Sequence, residues 1–206
     1  MMNALFNKPR TPLIVGIGGT HRPHSSSELA VRYALRIAEQ AGARVQMFDG
    51  PSLSFPLYNP ADPARDERAA SLVSAFRAAD GIIIAAPAYH GGISGLIKNA
   101  LDYTEDMNRD TRVYFDELAV GSIACAGGWQ AAGATLAALR SVVHALRGWN
   151  TPLGVTINTA NKIFDGDSCL DPDVARNLEV MARQVVSFAQ AMSAQRVDGV
   201  AAAGLR

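Results

Sequence analysis

The sequence predicts an α/β domain in which an open, doubly wound parallel sheet lies between two layers of helices. Short apolar runs bounded by Gly, Pro or Asp alternate with longer segments whose apolar residues recur at helical spacing. One of these runs, residues 81–86 (GIIIAA), is apolar without interruption, which is typical of a strand buried on both faces. This alternation favours a parallel sheet covered by helices in a three-layer α/β/α arrangement.

Five strands and five helices are expected to follow one another along the chain. The strands are predicted at residues 12–18, 44–48, 81–86, 118–126 and 153–158. The helices are predicted at residues 26–41, 66–79, 95–107, 131–147 and from 172 onward. Ser94 and Asp171 are residue types that cap helices, and Gly42 and Gly148 are suited to end them. Right-handed crossovers then favour the strand order 2-1-3-4-5, as in flavodoxins.

The length and composition indicate one compact domain. The chain has 206 residues, of which 49% are hydrophobic and 18% charged, so it has enough apolar material for one core. We expect residues 1–206 to form a single domain with its core at about 12–191. The small-residue tail at 193–206 is expected to fray or to pack on another subunit.

Charge and composition argue against several classes of function. The formal net charge is zero and no basic run occurs, which argues against nucleic acid as a partner. No apolar stretch suggests a signal peptide or a membrane span, so a cytoplasmic location is expected. The pair His21 and His24 lacks neighbours at metal-ligand spacing, so no metal site is predicted. Cys125 is predicted to be a buried thiol, and Cys169 to lie in a polar loop.

The loop after the first strand has the residues expected of a phosphate-binding loop. It places hydroxyl groups, a guanidinium and free backbone amides at the start of a helix, where the helix dipole favours an anion. The side chains concerned are Thr20, Arg22, Ser25 and Ser27. In the alternative interpretation, the serines only cap the helix and Arg22 is solvated.

Two further glycine-rich loops follow the third and fourth strands and are expected at the same edge of the sheet. The first contains Pro87, Ala88, Tyr89, His90 and Gly91, and the second contains Gly127, Gly128 and Trp129. Glycine lets backbone approach a flat ligand closely, and Tyr89 or His90 could cover a ring edge. Alternatively, Tyr89 is an ordinary loop aromatic and His90 faces solvent.

The motifs in these loops resemble those of the NAD(P)H-dependent FMN reductase family of flavodoxin-like proteins. A G-[ST]-x-R-x-x-S motif matches residues 19–25. A longer motif, P-x-Y-x-x-x-x-[SP]-G-x-x-K-N-x-[LI]-D, matches residues 87–102. A Pro-aromatic stretch at 55–59 (FPLYN) is also similar to the family. The resemblance covers residues 12–191.

This resemblance implies FMN and NADPH, or NADH, as cofactors. It implies that Thr20, Arg22, Ser25 and Ser27 hold the FMN phosphate. The isoalloxazine ring would be lined by residues 87–91 and bordered by Gly127 and Gly128. The matched Lys98, Asn99 and Asp102 are assigned to loop geometry and subunit packing. No catalytic side chain is required, because hydride passes between the two cofactors.

The same resemblance implies a homodimer or homotetramer, with subunits pairing through the region 95–107. Reduced flavin would go to a partner monooxygenase or to another acceptor. The alternatives are an FMN-bound reductase of quinones, azo dyes, chromate or organoarsenicals, and a non-enzymatic electron carrier of the flavodoxin type.

A dinucleotide-binding Rossmann domain is a further alternative, since glycines at 16, 18 and 19 follow a strand and Asp49 ends the next one. His21 occupies the place of its third glycine, which disfavours this interpretation.

Overall fold

The computed structural model describes the backbone of residues 10–203 and the side chains of residues 10–195. The strands are β1 Leu13–Gly18, β2 Arg44–Phe48, β3 Gly81–Tyr89, β4 Gly92–Ile93, β5 Ala119–Ala126, β6 Trp149–Asn150, β7 Val155–Asn158, β8 Phe164–Asp165 and β9 Ser168–Cys169. The main sheet has the order β2-β1-β3-β5, followed at the far edge by two short strands, β6 and β7, that both pair with β5. All these neighbours are parallel.

The helices form a layer on each face of the sheet, as predicted. They are α1 Ser26–Gln40, α2 Glu67–Ala78, α3 Gly95–Asp102, α4 Trp129–Ala145 and α5 Pro172–Ala203, with a 3₁₀ helix at Tyr103–Met107. One core cluster unites α1 and α5 with one face of the sheet, and a second unites α2, α3 and α4 with the other face. Ile82 and Ile84 enter the second cluster and Ile83 the first, and all three are fully buried. This confirms the strand predicted from the uninterrupted apolar run.

The strand order confirms the predicted fold class and excludes the Rossmann alternative. In this chain β1 lies between β2 and β3, which is the flavodoxin arrangement. In a Rossmann domain the first strand lies between the second and the fourth. The glycines of β1 serve close packing, since a Cβ on Gly16 would lie 2.6 Å from Val31 Cγ1 of α1.

The fifth strand position differs from the prediction, which placed one strand at 153–158. Two strands, β6 and β7, share this position, and residues 151–154 separate them. Pro152 has no N–H to donate to a sheet, so a continuous strand is interrupted there. Side chains satisfy the backbone of the segment between the two strands. The Thr151 hydroxyl donates to the Leu153 carbonyl at 2.8 Å, and the Leu153 N–H donates to Gln184 Oε1 at 3.1 Å.

Two short hairpins and a longer last helix were also not predicted. The antiparallel pair β3–β4 turns through residues 90 and 91, and β8–β9 forms a separate hairpin that includes Cys169, expected in a loop. Helix α5 continues through Ala203, into the segment where a fraying tail was expected. Residues 204–206 of that tail lie outside the described residues.

The described residues contain neither a membrane-spanning helix nor a cluster of metal ligands. Over the described part of the chain, the helices lack the length and apolar character needed to cross a bilayer. Within residues 10–195, no three His, Cys, Asp or Glu side chains are grouped so that they could hold a metal ion.

Candidate functional site

The loops that follow β1, β3 and β5 meet at one edge of the sheet. Gly18 at the end of β1 pairs with Ala85, and Pro87 near the end of β3 pairs with Cys125 of β5. Because these strands are parallel neighbours, their carboxyl ends lie side by side. Ligands of open α/β sheets bind beyond this edge, near the point where the strand order reverses.

A cleft of about 320 Å³ lies between the first two of these loops. Four of the residues proposed from the sequence line it, namely Thr20, Arg22, Pro87 and Tyr89. Its other lining residues, which sequence reasoning did not select, are Gly19, His21, Ser94, Gly95 and Leu96. Ser94 and Gly95 belong to the longer motif and so carried a signal. Nothing in the sequence around Leu96 and His21 distinguishes them from ordinary helix and loop residues.

The loop after β1 is shaped by close backbone contacts. Gly19 has φ +126°, a conformation that side-chain-bearing residues rarely adopt. A Cβ on Gly50, in the loop after β2, would lie 1.7 Å from the Thr20 carbonyl oxygen, so these two loops touch through their backbones. The Thr20 hydroxyl accepts the Arg22 N–H at 3.0 Å. Arg22 itself is exposed at the mouth of the cleft.

Ser25 and Ser27 lie deeper, at the start of α1. They are 3% and 1% exposed and do not line the cleft. Ser25 is the helix cap, since its Oγ accepts the Glu28 N–H at 3.4 Å, and it lies 3.4 Å from Ser27 Oγ. In this structure Ser25 therefore caps the helix, as the alternative interpretation of the loop expected. The first N–H groups of α1 still have no partner along the helix, as at every helix start.

The loop after β3 is a tight hairpin. Ala88 pairs with Ile93 and Tyr89 with Gly92, while His90 and Gly91 form the turn with φ values of +55° and +78°. Two successive positive φ values are those of a type I′ turn, which fits the twist of a hairpin. His90 and Gly91 are exposed, and Tyr89, which lines the cleft, is 56% exposed.

The loop after β5 presents bare backbone to open space. A Cβ built on Gly127 or Gly128 would meet no atom within 4 Å, and the same holds for Gly91 and Gly95. Trp129 begins α4 directly after these glycines and is 63% exposed. Backbone that faces free space beside an aromatic ring is suited to receive a flat ligand.

Cys125, at the end of β5, is not a reactive group of this site. It is 5% exposed, and burial raises the pKa of its thiol to about 12. The thiol therefore stays protonated at neutral pH, and only the thiolate is a strong nucleophile. This confirms the buried thiol predicted from the sequence.

Larger clefts elsewhere have residues that serve the fold. Two, of about 390 and 460 Å³, lie near the amino-terminal end of β3 and share Arg77 and Arg112. Arg112 donates to the Phe76, Arg77 and Ala79 carbonyls at the end of α2, each at 2.7 Å. These side chains are engaged in holding neighbouring elements together, at the sheet edge opposite to the one where ligands bind.

Comparison with known proteins identifies the family. Residues 12–162 match the family model described as NADPH-dependent FMN reductase. The chain belongs to this family. The NADPH azoreductase of Bacillus sp. (strain OY1-2) is 28% identical over 177 residues, which cover 84% of this chain and 88% of that protein. The FMN-dependent NADPH-azoreductase of Staphylococcus haemolyticus (strain JCSC1435) is 34% identical over 114 residues, or 54% and 57% of the two chains.

The structural comparison agrees with the fold. The flavodoxin, WrbA-like protein from Agrobacterium tumefaciens superposes with a TM-score of 0.58 at 18% identity, over 87% of this chain and 98% of that one. The resemblance seen in the sequence is thus confirmed. The protein is an FMN-dependent oxidoreductase of the NADPH-dependent FMN reductase family, and the carrier alternative is set aside.

The residues of the cleft fit FMN. The start of α1 would present its positive dipole end to a phosphate, and Thr20 and Arg22 lie in the loop that leads into this helix. The open glycine backbone at 91, 95, 127 and 128 leaves room for a flat ring system. When bound, the flavin supplies the two-electron chemistry. This FMN reductase family member needs only to hold and orient the nucleotides and to exclude competing groups.

Proposed function

We propose that the chain holds FMN with its phosphate on the loop at residues 19–25 and its ring system between the hairpin at 87–93 and the glycines at 127–128. Thr20 and Arg22 contact the phosphate, and the buried Ser25 and Ser27 fix the helix start behind it. Pro87, Ala88, Tyr89, His90 and Gly91 form one wall, and Gly127 and Gly128 the other. NADPH reduces the flavin, which then reduces a planar aromatic acceptor such as an azo compound.

The observation that carries the acceptor class is the exposure of two aromatic residues in loops at the carboxyl edge of the sheet, one of which, Tyr89, lines the cleft. Tyr89 and Trp129 are 56% and 63% exposed and follow the neighbouring strands β3 and β5. Aromatic rings stack on planar acceptors, and such pairs contribute about 0.5–1.5 kcal/mol beyond their buried area. Small oxyanions such as chromate gain nothing from these rings. The azoreductase names of two relatives also support an azo acceptor.

A steady-state assay tests this proposal. The purified protein, loaded with FMN, is expected to consume NADPH when an azo dye or a quinone is added, with little consumption when FAD is the only added acceptor. Trp129→Ala should raise KM for the azo dye by about 2- to 10-fold, the effect of one lost aromatic contact, and leave the KM for NADPH nearly unchanged. His144→Ala, at the opposite sheet edge, is the matched control.

The same assay distinguishes a second candidate, release of reduced FMN to a partner monooxygenase. That role is favoured by the exposure of residues 21–24, which leaves the phosphate end of the site open to solvent. NADPH consumption that depends on a continuous supply of free FMN, with no response to aromatic acceptors, would replace the azo and quinone proposal with this one.

We also propose that the protein is a homodimer or homotetramer that pairs through α3 and the neighbouring loop. Leu57 is 81% exposed in a loop that is held firmly against α3. Asn99 Oδ1 accepts the Tyr58 N–H at 2.9 Å and Asn99 Nδ2 donates to the Pro56 carbonyl at 3.0 Å. An apolar side chain on a rigid, exposed loop is suited to an interface.

Light scattering after size-exclusion chromatography tests the pairing. The wild-type protein is expected to have two or four times the chain mass of 21.8 kDa. Leu57→Asp is expected to give the mass of one chain, because a buried unpaired carboxylate is costly at an interface. Leu170→Asp changes another exposed leucine, outside this region, and is expected to keep the assembly. A monomeric wild type with full activity would contradict the proposal.

A further inference from the structure

A buried carboxylate lies directly behind the loop at residues 19–25. Glu28, in the first turn of α1, is 4% exposed. Its Oε2 accepts the His24 N–H at 2.9 Å, and its Oε1 accepts Arg32 Nε at 2.9 Å, one helical turn further on. The matched loop motif ends at Ser25, so Glu28 lies outside the residues that the motif selects.

The second partner of Arg32 connects this carboxylate to the neighbouring loop. Arg32 Nη2 lies 3.6 Å from Asp49 Oδ2, and Asp49 Oδ1 accepts the Ser52 N–H at 3.1 Å. Gly50, between them, touches the Thr20 backbone. Glu28, Arg32 and Asp49 therefore form a chain of charged contacts that joins the two loops at the cleft.

The Glu28 carboxylate holds the backbone of the loop at His24. The φ of His24 is +56°, which is uncommon for a residue with a side chain and must be held by its surroundings. The charge-assisted hydrogen bond from its N–H to Glu28 is a contact strong enough to hold it. A negative charge so near an anion site would oppose phosphate binding, but Arg32 compensates for it.

We propose that Glu28 is a positioning residue for the FMN phosphate, which fixes the loop at 19–25 in its binding conformation through the His24 N–H, with Arg32 balancing its charge. This inference rests on the proposed placement of the phosphate. The competing role is that Glu28 and Ser25 form a capping box that stabilises α1 alone. The two roles differ in their effect on ligands with and without a phosphate.

Titration of the flavin-free full-length chain with FMN and with riboflavin separates these roles. Glu28→Ala is expected to raise the Kd for FMN about tenfold, the effect of one lost charge-assisted hydrogen bond, and the Kd for riboflavin less than about twofold. Glu28→Gln keeps an oxygen acceptor for His24 but loses the charge pair, so the FMN-to-riboflavin ratio should shift by about threefold. Glu179→Gln removes an Arg–Glu pair of the same spacing, with Arg183 on α5, and should leave the ratio unchanged.

An unchanged ratio in Glu28→Ala and Glu28→Gln would assign Glu28 to helix capping and overturn the inference. If Glu28→Ala does not fold, Glu28→Gln decides the question alone. Arg22→Ala is measured in parallel. If it loses the preference for FMN while both Glu28 variants keep it, only the inference about Glu28 fails. If Arg22→Ala also keeps the preference, the proposed phosphate site itself is wrong.

Discussion

Arg22→Ala is expected to weaken FMN binding by about 10- to 100-fold, whereas riboflavin binding should change less than about threefold. A charge-assisted hydrogen bond contributes about 1.5–3 kcal/mol, and a difference of 1.4 kcal/mol is about tenfold in Kd. Arg22 is exposed, so solvent screening places the effect toward the lower end of this range. Riboflavin lacks the phosphate and therefore does not use this contact.

Fluorescence titration of the two flavins measures this difference. Arg22→Lys should recover part of the FMN affinity, because lysine keeps the charge but not the fork of donors. Arg109→Ala removes another exposed arginine, beside a cleft at the opposite sheet edge, and should change neither affinity. Equal losses for FMN and riboflavin in Arg22→Ala would place the phosphate elsewhere.

Gly50→Ala is expected to lower the free energy of unfolding by about 3 kcal/mol and to abolish tight FMN binding. The added Cβ would lie 1.7 Å from the Thr20 carbonyl oxygen and 2.4 Å from its carbonyl carbon. These are backbone atoms, which cannot move aside by a change of rotamer as the end of a side chain can. One of the two loops must move, and the loop after β1 carries the proposed phosphate contacts.

Denaturant unfolding followed by circular dichroism measures the loss. Gly133→Ala is the matched control, because Gly133 lies on the exposed face of α4 and a Cβ there meets nothing within 4 Å. Alanine in a helix interior should raise the free energy of unfolding by about 0.5–1 kcal/mol. The same chemical change is thus expected to have opposite signs at the two positions. A stable Gly50→Ala variant with normal FMN affinity would show that the two loops do not need this contact.

The loop motifs predicted part of the cleft and missed the rest for a physical reason. Thr20, Arg22, Pro87 and Tyr89 line the cleft, because they follow strands whose parallel pairing the apolar runs already indicated, and their contact with FMN stays a prediction. Ser25 and Ser27 do not line it, since both are buried at the start of α1, where Ser25 caps the helix. His21 and Leu96 reach the cleft only through the particular path of their loops, and no local pattern encodes that path.

The sequence by itself determined the alternation of strands and helices, the burial of β3, the caps at Ser94 and Asp171, and the family. These depend on residues close together in the chain, whose periodicity and backbone preferences act locally. Only the tertiary structure decided the division of the fifth strand at Pro152, the fastening of Pro56 by Asn99 and the charged chain from Glu28 to Asp49. Each of these joins segments distant in sequence, and the contacts exist only once the core has brought those segments together.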